Sequence, residues 1–224
     1  MIGGIAAILA ALLFGALALI RILNGSTPAP LALPPAKGII SGPPVHSPIS
    51  GTWTVTSGSE AGFRVQEILL GQHHTAVGRT PKVTGGIRIS GTTVDAADFT
   101  VDMQSVTTDA AGRNVAFHDF ILKTGSYPDA NFHLVHPISL GSNPPEGKVV
   151  AEHAVGAFTL RGVTRTVAFN LQAERLPTGV EINARIPIRF GLWHIPNPSF
   201  AVGQVGNTGT IEVLLHLKRQ PASG

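Results

Sequence analysis

From Thr52 onward apolar and polar residues alternate with a period of two. The apolar positions are Trp53 and Val55, Phe63 and Val65, Ile87 and Ile89, Phe99 with Val101 and Met103, and Phe132 with Leu134. They continue at Phe158 and Leu160, at Val167 with Phe169 and Leu171, at Ile182, Ile186 and Ile188, and from Ile211 to Leu217. Such alternation marks half-buried strands, because successive side chains on a strand point to opposite faces. Turn residues separate the runs at Gly85-Gly86, Ser90-Gly91, Gly141-Ser142-Asn143, Arg161-Gly162, Pro177-Thr178-Gly179 and Gly206-Asn207. The pattern predicts an all-β domain over residues 51–219, with eight or nine antiparallel strands, followed by a short tail at 220–224.

One stretch breaks the period. Between Ala110 and Lys123, Val115, Phe117, Phe120, Ile121 and Leu122 recur at spacings of three and four, which predicts a short helix or helical loop. Even strand spacing over about 170 residues fits a closed barrel or a sandwich. A lipocalin-like antiparallel barrel of about eight strands is the expected fold, since that strand number can enclose one elongated ligand.

The first 50 residues read differently. Ile2 to Ile20 are 19 consecutive residues drawn only from Ile, Leu, Ala, Gly and Phe. As a helix they would span about 28 Å, close to the hydrocarbon thickness of a bilayer. Ala16-Leu17-Ala18 has the small-x-small form of a cleavage site, but no basic residue precedes the run and it is long for a signal. Residues 1–22 are therefore expected to be an N-terminal transmembrane helix that anchors the protein to the membrane, with a cleaved signal segment as the alternative. Residues 23–50 follow as a linker, with seven of the 17 prolines between Asn24 and Ser50. Proline there disfavours helix and sheet and favours an extended stalk.

Charge and composition exclude several functions. The net charge is +3, but residues 1–50 hold Arg21 and Lys37 and no acid, which leaves 14 bases against 13 acids in the domain. A near-neutral domain has no electrostatic footprint for nucleic acid, so no nucleic-acid partner is expected. The absence of cysteine removes disulfides, thiolate metal sites and cysteine nucleophiles. The nine histidines show no paired ligand spacing, and no metal is expected. There is no GxSxG, phosphate loop or GxGxxG. Asp98 and Asp102 share the face opposite Phe99, Val101 and Met103, where solvated strand positions explain them. No enzyme activity is expected.

Two blocks carry a family resemblance. Arg113 to Phe132, RNVAFHDFILKTGSYPDANF, matches at Arg113, Tyr127, Pro128 and Phe132 the hallmark segment of the YceI-like family, bacterial lipocalin-like proteins known to bind polyisoprenoids. Val155 to Leu171, VGAFTLRGVTRTVAFNL, resembles that family's strand–turn–strand. The sequence departs from the pattern at Asn114, where Asp is usual, at His118, which is displaced, and at Phe120-Ile121, where Phe-Phe is common.

The resemblance implies a barrel whose lumen holds an isoprenoid lipid such as a polyprenyl phosphate or an isoprenoid-quinone-like chain, with no other cofactor. The lumen would be lined by Trp53, Phe63, Val65, Phe99, Val101, Met103, Phe117, Phe120, Phe132, Leu134, Phe158, Leu160, Phe169, Ile186 and Ile188. Arg113 and His118 become candidates for the lipid head group, although Arg113 has an alternative partner in Asp109 or Asp119 and His118 could be a surface or capping residue. The family's usual export implies a single-pass protein of the cell membrane with its domain on the extracytoplasmic side. From pattern alone the same side chains could simply fill the barrel, giving a structural or interaction protein of the envelope with no ligand.

Overall fold

The computed structural model describes residues 27–35, 48–199 and 203–221. The expected membrane helix, 1–22, lies outside the described residues, as does most of the linker; among the described residues no helix is long and apolar enough to cross a membrane. Among the described residues there are thirteen strands: β1 (Gly51–Val55), β2 (Glu60–Leu69), β3 (Gln72–Thr80), β4 (Val83–Ser90), β5 (Thr93–Asp102), β6 (Thr107–Thr108), β7 (Asp129–Leu134), β8 (Ile138–Ser139), β9 (Val149–Leu160), β10 (Val163–Leu176), β11 (Gly179–Arg189), β12 (Gly203–Val205) and β13 (Thr208–Arg219). Between β6 and β7 lie one turn of α-helix, α1 (Ala111–Val115), and a π-helical turn, Ala116–Ile121. The period break between Ala110 and Lys123 thus becomes helix. Gly85-Gly86, expected as a turn, lies inside β4 instead, where a Cβ on Gly85 would stand 2.0 Å from the Asp98 carbonyl oxygen and one on Gly86 2.2 Å from that of Trp53, so the glycines serve close strand approach.

All the strand pairs are antiparallel. Eight strands, in the order β1-β4-β5-β7-β9-β10-β11-β13, form a ring that closes where β1 pairs with β13. Closure removes the edges of the eight-strand ring itself. β13 pairs with β1 through Leu217–Arg219 and with β2 through Thr210–Leu214, so β1 and β2 take successive halves of one wall position. From β2 the ladder passes to β3 and ends at β6, which meets β3 only at Gly78 and Arg79. The helical segment follows directly and covers this end of the barrel.

Neither β3 nor the short 3-10 turn Phe190–Trp193 has the alternation that predicts a strand or core element. On β3 the positions opposite Glu67, Val65 and Phe63 are His74, Ala76 and Gly78. Gly78 is small because the Phe63 ring lies over it, where a Cβ would meet the ring at 2.3 Å, and His74 is polar opposite Glu67. Phe190 and Trp193 are buried by a loop that the period-two reading does not register.

Part of the expected stalk is seated on the barrel. Pro28, Ala29 and Leu31 lie against the outer wall, and Leu31 is buried. Asn183 Nδ2 donates to the Leu31 carbonyl at 3.0 Å, Arg185 to the same oxygen at 3.2 Å, Arg64 to the Pro28 carbonyl at 2.7 Å, and Arg79 to that of Ala29. Beneath this strap Glu212 is 1% exposed and lies near Arg64, Arg79 and Arg185.

Candidate functional site

Inward-facing side chains leave two adjoining cavities that share part of their walls. The first is a narrow lumen of about 170 Å³, walled almost wholly by apolar groups from all eight ring strands except β1, and from β2. The second is a chamber of about 850 Å³ at the end covered by the helical segment. Phe63, Met103, Leu160 and Ile211 belong to both walls and form the neck between them. The chamber alone is in the size range of ligand sites, whereas the lumen is tighter and would have to widen to take a chain.

The residues expected to line the lumen fall into three groups. Phe99, Val101, Phe132, Leu134, Phe158, Phe169 and Ile186 wall the narrow part, and Phe63, Met103 and Leu160 stand at the neck. Val65, Phe117 and Ile188 wall the chamber. Two residues line neither cavity. Trp53 is buried in the core, where its indole N–H donates to the Ile49 carbonyl at 2.9 Å. Phe120 is 67% exposed, because the π-helical turn points Phe117 inward and Phe120 out.

Two cross-strand contacts set the neck and its neighbourhood. Phe63 covers Gly78 and stacks on Phe117 with centroids 5.2 Å apart and planes within 8°. Phe132 covers Gly156 in the same way, where a Cβ would stand 2.3 Å from its ring, and meets Phe169 edge-on. Removing the Cβ on one strand thus makes room for an aromatic ring from the next.

The chamber has one polar wall. Arg113 on α1 donates to Glu67 Oε1 at 2.6 Å and also to Asp109. Asn114 fixes the start of the helix by accepting from the Thr108 backbone N–H at 2.7 Å and from its hydroxyl at 2.8 Å. Burial pushes the Glu67 carboxyl above the ordinary glutamate range; Arg113 pulls it back and Asp109 pushes it up again. His74 also acts on Glu67 from the paired position on β3. Glu67 and His74 were not singled out by sequence, since an acid on an alternating strand reads as a solvated position. A signal was present, because Glu67 continues the inward series of Phe63 and Val65.

His118 does not face the chamber. Its Nδ1 pairs with the Thr124 hydroxyl at 3.0 Å and its Nε2 with the Val106 carbonyl at 2.9 Å, so both ring nitrogens are engaged in fastening the helical segment. The head-group role expected for His118 is replaced by a latch. A second fastening comes from the β9–β10 hairpin, where Arg161 and Gly162 both have positive φ. From there Arg161 Nε donates to the Ile121 carbonyl at 2.9 Å, and its guanidinium also donates to that of His194 at 2.6 Å. Gly162 is needed on two counts, since a Cβ there would also meet the Tyr127 ring at 2.6 Å.

Comparison with known proteins agrees with this architecture. The family model described as YceI-like domain matches residues 53–217. Among solved structures, a polyisoprenoid binding domain from Saccharophagus degradans, implicated in plant cell wall breakdown, superposes with a TM-score of 0.63 at 19% identity, covering 75% of this chain and 98% of that one. BcnA of Burkholderia cenocepacia superposes with a TM-score of 0.53 at 17% identity, covering 69% and 95%. No curated protein sequence matches the chain.

Proposed function

The chain belongs to the YceI-like family, and from that premise we propose that it is a lipid-binding protein whose barrel holds a polyisoprenoid or isoprenoid-quinone-like chain for transport, storage or sequestration. The observation that carries this reading is the pair of adjoining, mainly apolar cavities, with Glu67, Arg113 and Asp109 in the wall of the wide one and Glu152, Glu174 and Arg175 the charged residues in the wall of the narrow one. Apolar surface leaving water is favourable by about 25 cal/mol per Å², so a chain of several isoprene units would be held without any hydrogen bond along its length. The tail would extend through the neck into the lumen, and the polar end would stay beside Glu67, Arg113 and Asp109. The likeness of fold to a polyisoprenoid binding domain supports the same reading. The role is binding rather than catalysis.

The apolar run at residues 2–20 supports attachment to the cell membrane, and the family's usual export, rather than the run itself, supports an extracytoplasmic barrel. A tethered barrel would meet a water-insoluble ligand at high effective concentration. A second reading has its own support: the lumen is narrow, so a filled barrel that acts through its outer surface is the alternative. The test is native mass spectrometry of the full chain purified gently from membranes, followed by organic extraction. A co-purifying isoprenoid is the expected result. An empty protein that also refuses added polyprenols and quinones would establish the filled barrel instead.

A further inference from the structure

The wide end of the barrel carries apolar side chains on its outside as well as its inside. Leu70 at the tip of the β2–β3 hairpin, Val115 and Phe120 on the helical segment, and Leu192 in the Phe190–Trp193 turn are all exposed. Each is adjacent to a residue of the chamber wall: Leu69, Ala116, Ile121 and, within the same short turn, Phe190. The four therefore sit on elements that surround one opening. The elements are also tied to one another, since Arg161 donates to the Ile121 and His194 carbonyls and Arg165 Nε donates to that of Leu192 at 3.1 Å.

The charges of this end that are not paired with one another are mostly positive. Among its described residues Lys82 pairs with Asp102 at 3.4 Å and Arg113 with Glu67 and Asp109, which leaves Lys123, Arg161, Arg165 and Arg189 against Asp119 and Asp129. Lys123, Arg165 and Arg189 are exposed. Exposed aliphatic and aromatic side chains interleaved with exposed cations match the apolar depth and negative surface potential of an anionic bilayer. A soluble protein partner would leave the adjoining lipid-sized chamber unexplained.

We propose that this rim is a bilayer-docking surface: Leu70, Val115, Phe120 and Leu192 enter the headgroup region of an anionic membrane, and the chamber opens toward it. The rim then lets a lipid pass between membrane and barrel without crossing water. It is an interaction surface additional to the cavity, and its position is independent of the apolar run at residues 2–20.

The absence of cysteine makes the test clean. Full chain carrying Phe120→Cys, Leu192→Cys or, as a control at the opposite end, Ser142→Cys is labelled with an environment-sensitive dye. It is reconstituted into phosphatidylcholine vesicles with or without phosphatidylglycerol. The expected result is blue-shifted emission and quenching by brominated acyl chains at 120 and 192, absent at 142, dependent on phosphatidylglycerol and lost in Lys123→Glu/Arg189→Glu. Emission at 120 and 192 as water-like as at 142, or burial equal with and without phosphatidylglycerol, would overturn it. Organic extraction of the same vesicle-bound protein reports on the cargo separately, so a docked but empty barrel refutes only the lipid-carrier reading.

Discussion

Arg113 on the helical segment donates to Glu67 on β2 at 2.6 Å, and it does so in the wall of an otherwise apolar chamber. Asp109 shares the same guanidinium, so one cation faces two carboxylates and the local charge is net negative. That balance disfavours the phosphate head group that Arg113 alone would suggest, and favours an uncharged alcohol, amide or carbonyl. Binding of a polyprenol is expected to exceed that of the corresponding polyprenyl phosphate by about tenfold, the effect of roughly 1.4 kcal/mol of unpaired charge. Glu67→Gln should erase or reverse the preference in a competition assay. Equal affinities for the two lipids in the unmodified protein would refute this assignment.

The same pair gives a pH dependence. Glu67 holds its proton more tightly folded than unfolded, because burial raises its pKa. Its contribution to stability is therefore greatest at low pH and declines as pH rises through the raised value, levelling off above it. In the same window acidification neutralises the carboxylate, and affinity for the anionic lipid should rise. His74 faces Glu67 from β3, so the assignment depends on comparing Glu67→Gln, in which both slopes should flatten, with the unmodified protein across a pH series of thermal melts. Unchanged slopes in Glu67→Gln would place the titration elsewhere.

Gly78 and Gly156 test the aromatic covers. In each case an added methyl group would stand 2.3 Å from a phenyl ring, closer than carbon atoms approach. Gly156→Ala should cost about 1–3 kcal/mol, the usual penalty of overpacking, as Phe132 is driven off its site. Gly78→Ala acts on Phe63, which belongs to the neck, so it should alter lipid uptake as well as stability. Denaturant melts and a polyprenol uptake assay separate the two; a Gly78→Ala protein with unmodified uptake would remove Phe63 as the gate.

Much of this fold is legible in the sequence, because the ring strands bury one face and leave the other polar. Phe99 with Val101 and Ile186 with Ile188 show that period without ambiguity. The helical segment is visible for the converse reason, as a change of period at Ala110. β3 leaves no hydrophobic alternation because its inward positions are Gly78 beneath Phe63, Ala76 opposite Val65 and His74 opposite Glu67. Glu67 and His118 were misleading in opposite senses. An acid was inward-facing because a cation from a distant segment meets it, and a histidine was used up in holding a loop, and neither partner is a neighbour in sequence.

The helical segment should open more easily when its latch is removed. His118→Ala deletes the bonds to Thr124 and to the Val106 carbonyl, and an unmet buried acceptor costs about 1–3 kcal/mol. Hydrogen exchange over Ala111–Ile121 should accelerate while the ring strands β9 to β11 keep their protection, and lipid exchange should speed up with it. Acceleration spread evenly over the barrel would mean that His118 supports the whole fold, and that the helical segment does not open on its own.

The strap makes the last prediction, because it changes how far the domain can stand from whatever precedes it. A free linker over residues 23–50 could reach about 90 Å when extended, whereas a strap fastened at Leu31 leaves eight residues, or about 26 Å. Asn183 Nδ2 holds both the Leu31 and the Val213 carbonyls at 3.0 Å, so Asn183→Ala should destabilise the protein by about 1–2 kcal/mol. Leu31→Ala removes a buried side chain from the same contact. If the strap is seated, the double variant should be less destabilised than the two single effects added together, by about 0.5–1 kcal/mol in denaturant melts. Strict additivity would mean that Leu31 and Asn183 do not share a contact in solution, and the domain would then have the full reach of its linker.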